Sequence, residues 1–343
     1  MFSLLTGNEQ VKATLRHLIS IGRVPSSLLF AGPEGVGKKE FAIDLARSFV
    51  CQNTTERLAC GECAACRRVG AFNTPTSEKG EDYDHVFFGE HGDVGLVIPY
   101  KRNLRVGAIR ALEREANFRP YEARARVFIL DDADKMNDAA ANALLKTLEE
   151  PPSTTHIVLV SSRPAALLAT IRSRCQTLRF APVSEREIAT LLSRQRSFSE
   201  KDARLAARIA KGSVARALSF DIAGYRSRRG ELLDLINKAL IQQNRSALIR
   251  GSEQLNDAKH KELYEETLET LETLVRDLWL LKNGSDADVI NIDIAGDLDT
   301  LAASVSTDKL AATLSEIELL RQSLFVNINR KVATDALFMK MSA

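Results

Sequence analysis

The chain is poor in several features, and each shortage excludes something. No apolar run approaches the roughly 18–20 residues that a membrane helix needs. Residues Met1 to Gln10 have neither a basic start nor a long apolar core. A signal peptide is therefore not expected, and a cytoplasmic location is. There is one tryptophan, and aromatic residues make up 6% of the sequence. That leaves little for a stacking platform of the kind that binds single-stranded nucleic acid. Charge is nearly balanced at +2 over 343 residues, which argues against a strongly basic nucleic-acid wrapper. The balance is uneven along the chain, however. Residues 1–230 carry 35 of the 47 basic and 26 of the 45 acidic side chains, so the first part is basic and the remainder acidic. Five cysteines are too few for a disulfide scaffold, yet four of them crowd between Cys51 and Cys66.

At 45% hydrophobic and 27% charged the chain has ordinary globular composition. Its length suggests about two or three domains. Residues 1–180 alternate short β-rich runs with helical stretches. Ser27–Ala31, Val86–Phe88, Arg126–Leu130 and His156–Ser161 read as strands. Lys38–Val50, Val106–Asn117 and Asn137–Glu149 read as helices, with Val106, Ile109 and Leu112, then Ala141, Leu144, Leu145 and Leu148, at helical spacing. Such alternation predicts an α/β domain with a mainly parallel sheet. Pro151-Pro152 ends the last of these helices. Residues 73–105 are polar and aperiodic, which predicts a surface insertion. Beyond Pro182 the pattern is helical. Ser184 and Glu187 form a capping box, a helix through Ala203, Leu205, Ala206 and Ile209 ends at Gly212, and helices from about 223 onward break near Asn283-Gly284-Ser285-Asp286.

Gly32-Pro33-Glu34-Gly35-Val36-Gly37-Lys38 follows a strand and opens a helix, the spacing and context of a Walker A phosphate loop. Gly32, Gly35 and Gly37 let backbone N–H groups close around phosphate, and Lys38 would reach it. The next position should carry the Ser or Thr hydroxyl that ligates Mg²⁺. Here it is Lys39, which cannot ligate a cation. Val127-Phe128-Ile129-Leu130-Asp131-Asp132 reads as Walker B. Asp132 stands where a glutamate usually polarises the attacking water, and it is one methylene shorter. These two departures argue against Mg²⁺ binding and turnover, although the loop is retained.

Cys51-x8-Cys60-x2-Cys63-x2-Cys66 suits a tetrahedral structural Zn²⁺ site. An Fe–S cluster could use the same four thiolates, whereas a redox dithiol needs only two. Arg174, in Thr170-Ile171-Arg172-Ser173-Arg174-Cys175, is either a surface arginine or a fork for a γ-phosphate. Ser161 and Ser162 end the strand beside Walker B, where they could sense a nucleotide. Arg216 opens another small-domain helix and could equally be solvated. Trp279 lies in an apolar stripe with Leu268, Leu271, Leu274, Val275, Leu278 and Leu281, the pattern of an ordinary core face.

Together with the phosphate loop and the cysteine knuckle, two further strings resemble bacterial clamp-loader subunits of the AAA+ class. They are Asn142-Ala143-Leu144-Leu145-Lys146-Thr147-Leu148-Glu149-Glu150-Pro151-Pro152 and Ser173-Arg174-Cys175. The resemblance spans residues 5–220 and continues faintly through Val326-Asn327-Ile328-Asn329. Asp131-Asp132-Ala133-Asp134-Lys135-Met136-Asn137, Ala139-Ala140-Ala141-Asn142 and Lys39 look like the stator type rather than the ATP-hydrolysing motor type (gamma/tau).

The resemblance implies a nucleotide-binding α/β domain at 1–181 with the knuckle 51–66 inserted, a helical lid at 182–222 and a helical collar at 223–343. It implies a five-subunit ring with gamma/tau motors and delta, part of the DNA polymerase III holoenzyme. That ring opens the sliding clamp and loads it onto primer-template DNA. By the same resemblance Arg174 is an arginine finger for a neighbour's ATP, and Arg216 is a second sensor. ATP would be bound here without efficient hydrolysis, and no polymerase activity of the chain's own is expected. Three readings compete: a motor subunit or independent AAA+ ATPase, a zinc-bearing adaptor with a relic phosphate loop, and a stand-alone DNA-binding protein. For the last, no helix-turn-helix pattern is present.

Overall fold

Runs such as Ser27-Leu-Leu-Phe-Ala31 are apolar at successive positions, which in a strand buries both faces. In the computed structural model they form the centre of a six-stranded sheet. The structure describes residues 1–76, 78–195, 198–242, 244–256, 263–285, 289–324 and 329–342. In chain order its first part contains α1 (Glu9–Ser20), β1 (Ser27–Ala31), α2 (Lys38–Val50), α3 (Ala64–Arg68), β2 (Phe87–Phe88), β3 (Val94–Val97) and α4 (Val106–Ala116). There follow β4 (Arg126–Leu130), α5 (Asp138–Glu149), β5 (Thr155–Ser161), α6 (Ala169–Arg174) and β6 (Gln176–Arg179). The strand order is β2-β3-β4-β5-β1-β6. All pairings are parallel except β2 with β3. This is the mainly parallel α/β sheet that the alternation predicts.

Alternate side chains divide the core into two layers. Leu28, Phe30, Val127, Ile129, Val158 and Val160 pack with Leu15 of α1 and Phe41 and Leu45 of α2. Leu29, Phe128, Leu130, Ile157 and Leu159 pack with Ile109 and Leu112 of α4, Leu144 and Leu148 of α5 and Ile171 of α6. Because β5 sits between β1 and β4, the loops after β1 and β4 open at one edge of the sheet with the end of β5 between them.

Residues 73–105 are not simply a surface insertion. They contain β2 and β3, and β3 is wholly buried beside β4. Its signal is hidden for two reasons. The run Val94-Gly95-Leu96-Val97 is short and broken by a glycine, whose absent Cβ would lie 2.5 Å from Val86 and 2.9 Å from the Phe128 ring. It is also preceded by Asp93, a charged residue that is fully buried. Asp93 accepts the backbone N–H groups of Tyr121, Glu122 and Ala123 at 2.8, 3.0 and 2.9 Å and lies 3.8 Å from the buried Arg126 guanidinium. The strand β6 escapes notice for the opposite reason: it is an edge strand on which only Leu178 is buried.

The later helices are α7 (Glu185–Gln195), α8 (Glu200–Ile209), α9 (Val214–Ser219), α10 (Ile222–Leu240), α11 (Arg245–Leu255), α12 (Tyr264–Lys282), α13 (Ala295–Ala303), α14 (Thr307–Ser323) and α15 (Arg330–Ser342). The capping box before α7 is present. The Glu187 N–H donates to the Ser184 hydroxyl at 3.3 Å, and the Ser184 N–H donates to the Glu187 carboxylate at 3.2 Å.

The chain divides into two compact units. One is Met1–Gln195 with Ala210–Leu218, and the other is Arg196–Ile209 with Ser219–Ala343. Within the second unit α10–α15 surround one core, to which α12 contributes Leu268, Leu271, Leu274, Val275 and Leu278, with Trp279 packed at its margin. Buried Asp277 of α12 accepts the N–H groups of Ile290 and Asn291 at 3.0 and 2.8 Å. Arg229 of α10 grips Asp293 with two bonds of 2.7 Å. Residues 326–328 of the faint motif, and Asp286 of the expected break, lie outside the described residues.

Candidate functional site

The phosphate loop runs from the end of β1 into α2. Gly35 and Gly37 have φ of 74° and 94°, the left-handed region that suits glycine. Space matters too: a Cβ on Gly35 would lie 2.0 Å from the Ser213 hydroxyl. The loop tip is close against the start of α9, where the Ala215 N–H donates to the Gly35 carbonyl at 3.0 Å. Gly32 donates its N–H to the Ser161 carbonyl of β5 at 3.2 Å. Lys38 is buried, with its ammonium donating to the Gly32 and Pro33 carbonyls at 2.8 and 2.6 Å. Burial pushes its pKa down, opposed by the nearby Asp131 and Asp132 carboxylates.

Neither carboxylate after β4 stands alone. Asp131 is 3.0 Å from the Lys39 ammonium, and Asp132 is 2.7 Å from that of Lys135. These are the two acids that a Walker B strand offers to the cation and the attacking water. The residues therefore do not fit a Mg²⁺ shell. Lys39 supplies no ligand and already holds the carboxylate that would.

Asp134, which sequence reasoning did not single out as a functional residue, organises the end of β5. It accepts the Ser161 hydroxyl at 2.7 Å, the Ser162 N–H at 3.2 Å and the Arg163 Nε at 3.0 Å. Burial raises its pKa, but the Ser161 and Arg163 bonds more than offset this and hold it below the usual aspartate range. The Ser161 hydroxyl therefore points to Asp134. Three small polar bonds on one acid leave no sequence pattern.

Arg174 ends α6. Its guanidinium donates to the Thr170 carbonyl at 2.9 Å and pairs with Glu149, at the end of α5, at 2.7 Å, while staying partly exposed. Those partners are outside the phosphate loop. Arg216 lies in the first turn of α9, with its N–H on the Ser213 hydroxyl at 3.3 Å.

The four cysteines converge. Their sulfur atoms all lie within 4.8 Å of one another, with Cys51 at 3.6 Å from Cys60 and 3.9 Å from Cys63. Four thiolates around Zn²⁺ at about 2.3 Å would be about 3.8 Å apart. None is in a disulfide. The knuckle's backbone favours thiolates at two positions. The N–H groups of Glu62 and Cys63 point at the Cys60 sulfur and lower its pKa. For Cys63 burial acts upward, but N–H groups of Cys66 and Gln52 outweigh it and bring the pKa to about 6. Burial raises Cys51 and Cys66, and their thiolates need a cation. The donor set fits zinc. Arg47 of α2 ties the knuckle to the domain through the Cys66 and Val69 carbonyls, and Arg68 forks onto Glu122 with two 2.8 Å bonds.

A phosphate loop after β1, paired acids after β4 and an intervening β5, joined to a helical C-terminal part, define a P-loop protein of the AAA+ class. A family model described as DNA polymerase III, delta subunit, matches residues 7–184. The chain is 31% identical to the DNA polymerase III subunit delta' of Escherichia coli over 93% of its length and 90% of that protein. It is 34% identical to the delta' subunit of Bacillus subtilis over 54% of this chain and 51% of the relative. A gamma/tau subunit of Mycobacterium tuberculosis is 34% identical over 56% of this chain and 31% of the relative. The chain belongs to the family of DNA polymerase III delta-prime subunits, which are clamp-loader proteins. Among the described residues no helix is long and apolar enough to cross a membrane.

Proposed function

We propose that the chain is the stator of a clamp-loader ring, one that binds ATP without turning it over and lends Arg174 to the ATP of an adjacent gamma/tau motor subunit. One observation carries this reading: both Walker B acids are paired with lysines, Asp131 with Lys39 and Asp132 with Lys135. A site so neutralised lacks the free carboxylates that hydrolysis uses. Donating an arginine across an interface needs none of them.

The placement of Arg174 supports the second half of the proposal. It sits at the exposed end of α6 on Glu149, and exchanging one exposed ion pair for a phosphate costs little. In the same reading Gly32, Gly35, Gly37 and Lys38 hold the nucleotide's phosphates, and Arg216 is a second sensor. Cys51, Cys60, Cys63 and Cys66 hold structural Zn²⁺. Helices of 182–222 act as a lid and those of 223–343 as a collar, beside gamma/tau and delta in a pentamer. The basic part faces primer-template DNA while the ring handles the sliding clamp.

The test is Arg174→Ala in the reconstituted complex. DNA-stimulated ATP hydrolysis should fall by ~10³-fold at the one site served, and the isolated chain's melting temperature should stay within a degree or two. An unchanged rate in an intact ring would remove the finger assignment.

A further inference from the structure

The positions of Lys39 and Asp131 allow a more specific statement than loss of metal binding. In a metal-dependent phosphate loop the residue after the loop lysine and the first Walker B acid hold the divalent cation between them, next to the β- and γ-phosphates. Here those two positions are joined directly, ammonium to carboxylate, at 3.0 Å.

We propose that the Lys39 ammonium is a tethered substitute for the divalent cation, so that the loop binds a nucleoside di- or triphosphate without metal. This rests on the reading that the loop binds nucleotide at all. An ammonium carries three donors. One satisfies Asp131, and the side chain, one residue past the loop lysine and partly exposed, has two more to offer phosphate oxygens. Asp131 thereby acts as a positioning residue: it holds the ammonium beside the loop rather than letting it extend into water. Lys38 contributes a second ammonium, now resting on the Gly32 and Pro33 carbonyls, which phosphate oxygens would replace.

The substitution has a chemical consequence. An ammonium donates hydrogen bonds but offers no coordination sphere in which a leaving group or water is aligned. It supports binding better than hydrolysis. Asp132, at the Walker B position that would orient water, is held by Lys135 at 2.7 Å.

Equilibrium binding of a fluorescent ATP analogue to the full chain, in chelator and in excess Mg²⁺, tests this. Wild type should bind with affinities within about twofold in the two buffers. Lys39→Met should weaken binding roughly tenfold in both, the loss of one charge-assisted contact. Lys39→Thr should be equally weak in chelator but recover with Mg²⁺, because hydroxyl and freed carboxylate now form the usual pair. Asp131→Asn should reduce affinity in both buffers and abolish the recovery when combined with Lys39→Thr. Circular dichroism melts guard against misfolding, and if Lys39→Thr does not fold, Lys39→Met against wild type decides. Binding by wild type that requires Mg²⁺ would overturn the tethered cation while leaving the nucleotide site intact. No binding by wild type in either buffer would overturn both.

Discussion

Asp134 shows what a single residue does here that its letter does not announce. Its carboxylate is almost wholly buried, and it joins the turn after β4 to the end of β5 through Ser161, Ser162 and Arg163. Its folded pKa is depressed. The stability it contributes is therefore fully present above the unfolded value of about 3.9 and is lost as pH falls through the lower folded value. Asp134→Asn should lower unfolding free energy at neutral pH by about 1–3 kcal/mol. It should also flatten the acid limb of a stability–pH curve below pH ~4, as measured by urea unfolding. An unchanged acid limb would mean that Asp134 carries no such role. By contrast the glycines of the phosphate loop, Lys38, Lys39 and the paired acids were legible from spacing, because a phosphate loop constrains neighbours in sequence. Which lysine meets which acid was not, since the Lys39–Asp131 pair joins positions far apart in the chain.

At the scale of elements, the central strands β1, β4 and β5 were legible because burial on both faces makes them continuously apolar. The strands β3 and β6 were not. One is short, glycine-broken and flanked by buried charge, and the other is an edge with a single buried side chain. The cysteine knuckle is the reverse case, since four thiols at short spacing announce themselves. Its structural weight can be measured. The segment 51–68 has few apolar contacts of its own, chiefly Cys51, Ala59 and Cys66, so bound metal should supply much of its order. Stripping Zn²⁺ with a chelator, or Cys60→Ser, should accelerate amide exchange across 51–68 and lower the melting temperature by several degrees. Exchange in the central sheet strands should change much less. Equal exchange with and without metal would remove the structural role assigned to zinc.

At the scale of the whole molecule, the nearly neutral sum conceals a basic stretch over residues 1–230 and an acidic remainder. The phosphate loop is kept while Asp131 and Asp132 are tied to lysines, and Arg174 stands outside the loop on Glu149. We propose above all that this subunit contributes its arginine to a neighbour and no turnover of its own. DNA-stimulated ATP hydrolysis by the reconstituted loader, compared between rings carrying Lys38→Ala and rings carrying Arg174→Ala in this chain, tests that claim most directly. A nearly unchanged rate is expected for Lys38→Ala and a clear fall for Arg174→Ala, with both rings assembled. A fall for Lys38→Ala beside an unchanged rate for Arg174→Ala would contradict it.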